Sequence, residues 1–123
     1  MADTHLDRDV LQSLREVMED EYPILLDTFL ADCEERLDLL RKSNDALQLI
    51  NAAHSFKGSS SNMGATRLAA LCNDLEQWAK REPLVGVEKL IGEINGEFAI
   101  VRPLYEAERQ RSQAELATVQ RPR

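Results

Sequence analysis

Glycine and proline are scarce in this 123-residue chain, at five and four residues, so little interrupts a regular pattern. No internal repeat or low-complexity tract appears either, which leaves one ordinary domain with enough chain to close a single core. Cysteine occurs only at Cys33 and Cys72. Each lies among apolar residues in a helical pattern, so buried free thiols in a reducing compartment are the first reading. One disulfide between two helices stays open. No apolar run approaches the roughly 20 residues of a membrane span. The polar start, Met1-Ala2-Asp3-Thr4-His5, lacks an apolar secretory stretch, so export is not expected and a cytoplasmic location is. Positive charge is also short. The net charge is -7 and no basic stripe appears, which argues against nucleic acid. An acidic chain suits partners that present positive charge.

What is present is helical periodicity from end to end, with no alternating strand pattern. Apolar residues make up 43% and charged residues 30%, the balance of a soluble globular protein. A short helix is predicted over residues 7–19, with Val10, Leu11, Leu14, Val17 and Met18 on one side. Tyr22-Pro23 opens a second helix, because proline suits a first turn. Its core stripe is Leu26, Phe29, Leu30, Cys33, Leu37 and Leu40. Ser43-Asn44-Asp45 is a turn with good cap residues. A third helix follows over residues 46–62, ended by Gly64. A fourth covers residues 65–81, with Leu68, Leu71, Cys72, Leu75, Trp78 and Ala79 inward, and Pro83 stops it. A fifth covers residues 84–109, on the stripe Leu90, Ile91, Ile94, Phe98 and Val101, with Pro103 a candidate kink. The expected fold is an all-α, antiparallel up-down four-helix bundle with a short additional N-terminal helix across one end. Residues 1–109 form that domain, and 110–123 read as a polar, flexible tail.

The third helix carries the chemistry. At about 100° per residue, Leu49, Ala52, Phe56, Ser60 and Met63 gather on one side, and His54, Lys57, Gly58 and Ser61 on the other. His54 therefore points outward. Leu47 and Ile50 share its side, either as part of a docking surface or packed under the first helix. Gly58 and the run Ser59-Ser60-Ser61 are poor helix formers, and a mid-helix glycine costs about 1 kcal/mol relative to alanine. A compensating role is access: one turn beyond His54, Gly58 presents no side chain to an approaching protein. Lys57 lies on the same turn, where its ammonium suits phosphoryl oxygens. Neutral imidazole is nucleophilic at physiological pH. A partner accepting from Nδ1–H frees Nε2 to attack, and Glu76 is the candidate, with Gln77 the weaker one. Counting from Gly64, His54 lies ten residues before the turn and Glu76 twelve after it, at similar heights on adjacent antiparallel helices. His5 reads as incidental. A lone surface histidine is usually that too, and the joint pattern is what sets His54 apart.

The string His54-x-x-Lys57-Gly58-x-Ser60-x-x-x-Gly64, followed by Leu68, Leu71 and Leu75-Glu76, resembles the signature of the histidine-containing phosphotransfer (HPt) family. Ala53 fits as well, and among members the chain looks like the stand-alone bacterial type. The resemblance implies a four-helix bundle with His54 phosphorylated on Nε2. It also implies Lys57 near the phosphoryl group, access at Gly58 and Glu76 as the Nδ1 partner. It further implies a relay between receiver domains of hybrid sensor kinases and of response regulators, with Mg²⁺ on the receiver and no cofactor on this chain. No GxxxxGK[ST] loop or glycine-rich phosphate cradle is present, so autokinase activity is not expected.

Three other readings compete. A phosphotransfer domain of a chemotaxis-type kinase is one, against which the short chain with its own leader and tail argues. A helical adaptor without phosphoryl chemistry is another, and it would tolerate His54→Gln. A di-metal bundle enzyme needs Glu-x-x-His pairs, whereas Asn51 precedes His54 at that spacing and Ala2 precedes His5. Partner choice is assigned to Leu47, Ile50, Asn51, Ser61 and Arg67, and a monomer is the simpler expectation.

Overall fold

In the computed structural model, residues 5–81 and 84–120 are described, with side chains through residue 117. Pro83, the leader Met1–Thr4 and residues 121–123 lie outside them. The elements are α1 (Arg8–Met18), a one-turn 3₁₀ segment (Glu19–Glu21), α2 (Tyr22–Lys42), α3 (Ala46–Asn62), α4 (Thr66–Ala79) and α5 (Val87–Gln120). No strand occurs among the described residues, and no helix there is long and apolar enough to cross a membrane.

Local chemistry sets the boundaries. Asp7 caps α1 by accepting from the backbone N–H of Asp9 at 3.0 Å and of Val10 at 3.3 Å. Asp45 caps α3 through the N–H of Gln48 at 2.9 Å. Pro23 occupies the first turn of α2. Gly64 ends α3 with φ +75°, where Ala65 N–H bonds Ser60 C=O and Gly64 N–H bonds Ser61 C=O. That is the glycine-closed helix terminus that uses the left-handed region. Asp7 N–H donates to Gly64 C=O at 2.7 Å, and a Cβ on Gly64 would meet Asp7 O at 3.0 Å. The start of α1 is thereby seated on the α3–α4 turn, at one end of the bundle.

The bundle closes because α2, α3, α4 and α5 pack as a ring, α2 against α3, α3 against α4, α4 against α5 and α5 back on α2. Short connections make successive helices antiparallel. Every predicted stripe residue of α2 is buried, as are Leu49, Phe56, Leu68, Leu75, Ile94 and Val101. Tyr105 closes the bottom: its ring meets Phe29 edge-on at 5.1 Å, and its hydroxyl donates to Met63 C=O at 2.6 Å. Cys33 and Cys72 are free and buried, and burial pushes both thiols up to about 12, which leaves them unreactive.

Three expectations are corrected. The last helix does not stop near Arg109 but runs to Gln120, without a break at Pro103. Its extension lacks an apolar stripe because polar contacts hold it. Glu108 is buried and accepts from Tyr22 Oη at 3.0 Å, with Arg111 and Arg8 also on its carboxylate. Arg15 of α1 pairs with Glu115, and Ser112 is buried. Val17, assigned to the inner side of α1, is 78% exposed, since α1 lies across the end and buries only Leu11 fully. Trp78 is half-buried, and its Nε1–H donates to Val85 C=O while Arg81 stacks over the ring.

Candidate functional site

α3 is a core helix on one side only. Leu49, Ala53, Phe56 and Ser60 are buried, which turns His54 out of the bundle with its side chain 67% exposed. α4 packs alongside and carries Glu76 at the edge of its own core stripe, with a side chain only 8% exposed. The two meet. His54 Nδ1 lies 3.2 and 3.3 Å from the two oxygens of Glu76. Gln77 is exposed, so the carboxylate of Glu76 is the group that faces the ring.

Glu76 is also held by cations. Lys57 Nζ is 2.8 Å from Oε1, and Lys80 Nζ is 3.7 Å from Oε2. Lys57 donates as well to Asn73 Oδ1 at 3.3 Å. The hydrogen bond from Lys57 holds the Glu76 carboxyl below its ordinary range; burial opposes that, and the bond from His54 adds to it. An ionised carboxylate only accepts, so the Nδ1 that faces it bears the proton. Nε2 then holds the free lone pair, on the side of the ring away from Glu76.

Space around the ring is open. Gly58 is exposed, and a Cβ built there meets nothing within 4 Å. Its lack of a side chain therefore answers no need of this fold. Gly58→Gln should raise helix stability by up to about 1 kcal/mol, and the family resemblance implies that it should also slow phosphoryl exchange with receiver domains. Thermal melts and transfer rates measured together check this, and normal transfer in a more stable protein would overturn the access argument. Leu47 is 67% exposed, Asn51 and Ser61 are exposed, and Ile50 is half-buried on the core edge. α1 sits at the opposite end of α3, so Leu47 is not covered by it. Arg67 stands apart, with its Nε 3.5 Å from Glu97. His5 is not incidental to the structure, since its Nδ1 is 2.7 Å from the same buried Glu97.

Two residues at this site escaped the sequence reading, Asn73 and Lys80. Both lie on the Glu76 side of α4, three residues before it and four after it, so helical spacing would have found them.

The family model for the Hpt domain matches residues 24–118. Among solved structures, the chain is similar to histidine-containing phosphotransfer protein B (HptB) from Pseudomonas aeruginosa PAO1, at 55% identity and a TM-score of 0.85. The match covers 89% of this chain and 98% of that one. No curated protein matches. A family match over most of the chain, on a four-helix bundle that turns one histidine outward against a buried carboxylate, places this chain in the Hpt domain family of phosphorelay proteins.

Proposed function

We propose that the chain accepts a phosphoryl group on His54 Nε2 from the aspartyl phosphate of a hybrid sensor kinase's receiver domain. It then passes the group to the receiver aspartate of a response regulator. The observation that carries this is the exposed ring of His54 with Nδ1 against buried Glu76. In the forward step the Nε2 lone pair forms the N–P bond. The bond between phosphorus and the aspartyl oxygen breaks, and its electron pair stays on that oxygen. The Nδ1 proton remains, so the ring gains positive charge that Glu76 faces. The return step reverses these bonds on a second aspartate.

Most transition-state stabilisation belongs to the receiver, with Mg²⁺ there to neutralise phosphoryl oxygens. This chain contributes the nucleophile, Lys57 for the phosphoryl oxygens, and a docking face of Leu47, Ile50, Asn51, Gly58 and Ser61. It needs no cofactor and no ATP of its own. It acts as a cytoplasmic monomer, without nucleic acid or membrane.

The test is transfer from a panel of receiver domains pre-charged with phosphate and Mg²⁺. Acid-labile label on this chain is the expected result, as a phosphoramidate requires. A folded chain that takes no label from any of them, cognate receivers included, would favour the adaptor reading.

A further inference from the structure

Lys57 has two incompatible demands on it. In the bare site its ammonium rests on Glu76 Oε1 at 2.8 Å and on Asn73 Oδ1 at 3.3 Å. A phosphoryl group on Nε2 lies on the far side of the ring from Glu76. On the phosphotransfer reading, a Lys57 ammonium that turns to the phosphoryl oxygens gives up Oε1. Glu76 is 8% exposed, so water replaces a lost cation poorly, and a buried charge stripped of its partner is costly. The loss would come at the moment when the ring, bonded to phosphorus at Nε2 and still protonated at Nδ1, depends most on that carboxylate.

A second ammonium stands ready. Lys80 lies one turn beyond Glu76 on α4, with Nζ 3.7 Å from Oε2, the oxygen nearer His54 Nδ1. At that distance it is a loose pair, and with its side chain 49% exposed it has room to move. The chain as a whole carries a net charge of -7, so two lysines on one buried carboxylate run against its average.

We propose that Lys80 is a positioning residue for phosphoryl transfer. It closes on Glu76 as Lys57 departs to the phosphoryl group, so that Glu76 keeps a lysine partner and its hold on the ring in both states. Lys80 touches neither ring nor phosphorus and acts through Glu76. The inference rests on the phosphotransfer reading above. The bonds made and broken are those given there, and no further reactant enters.

The test is a double-mutant cycle on the full chain: wild type, Lys80→Gln, Lys57→Gln and the double variant, with Lys80→Arg as the conservative control. Each is loaded from a charged receiver and, separately, from phosphoramidate, a small donor whose P–N bond breaks to release ammonia. Lys80→Gln should load about three- to fivefold more slowly from either donor, the scale of one half-exposed ion pair. Lys80→Arg should restore the rate. In the Lys57→Gln background the same change should cost less than about twofold, because no ammonium then leaves Glu76. Wild-type loading by Lys80→Gln would overturn the proposal, as would an equal loss in both backgrounds. The two donors separate the readings. The predicted pattern with phosphoramidate but no loading from any receiver would sink the relay and leave Lys80 standing. Receiver loading indifferent to Lys80 would sink Lys80 alone.

Discussion

His54→Gln should take no phosphoryl group from any receiver, and it should fold as the wild type does. The first half follows from chemistry. An amide nitrogen has its lone pair delocalised into the carbonyl, so glutamine offers no nucleophile in place of the ring. The second half follows from exposure. The His54 side chain is 67% exposed, while α3 is anchored by Leu49, Ala53, Phe56 and Ser60 on its other side. Surface replacements of this kind stay within about 0.5 kcal/mol. Glu76 also keeps Lys57 and Lys80, so no buried charge is stranded. Acid-labile label on the wild type only, with matching circular dichroism and melting, is the expected outcome. Wild-type label on the variant would move the acceptor elsewhere. The chain has two histidines, and the other, His5, has its Nδ1 2.7 Å from Glu97.

The sequence made α2, α3 and the site's central pair legible for the same reason. A 3.6-residue period and a glycine-closed turn determine which side faces the core and how two adjacent helices align. Counting from Gly64 is enough to bring His54 to the height of Glu76, because α3 and α4 pack side by side and are joined by a tight turn. Where the contacts are polar, the same method fails. The end of α5 has no apolar stripe, and polar groups tie it to α1 and the start of α2: Glu108 takes Tyr22 and Arg8, and Glu115 takes Arg15. Hydrophobic patterning is blind to such a surface. His5 was passed over for a related reason, since its partner Glu97 is distant in sequence and itself reads as a solvated residue. Lys57 was legible as a cation near the ring. Its resting place on Glu76 and Asn73 was not, because periodicity places side chains on faces without saying which charge they choose there.

Glu76→Ala should slow phosphoryl acceptance about 100-fold with His54 still present. That is less than the ~10⁴ lost when the carboxylate behind a catalytic imidazole in a closed site becomes an amide and fixes the wrong tautomer, since water can reach this exposed ring and accept from Nδ1–H whichever side chain stands at 76. The carboxylate does two things that water does poorly. It fixes the proton on Nδ1, leaving Nε2 free, and it faces the positive charge the ring acquires when the N–P bond forms. Glu76→Gln separates them. Its amide oxygen can still accept from Nδ1–H, but the charge is gone, so the loss should be near tenfold, the difference between a charged and a neutral acceptor. Acid provides a third view of the same group. Lys57 first, then His54, hold the Glu76 carboxyl below its ordinary range against the effect of burial. A depressed carboxyl stabilises the fold fully above its unfolded value, about 4.3, and loses that contribution as pH falls through the lower folded value. The acid-side fall in wild-type stability should therefore shrink in Glu76→Gln, which has nothing there to protonate. If Glu76→Ala transferred at the wild-type rate while the acid profile of Glu76→Gln changed as described, Glu76 would belong to the fold alone, and His54 would have to be oriented by its own helix.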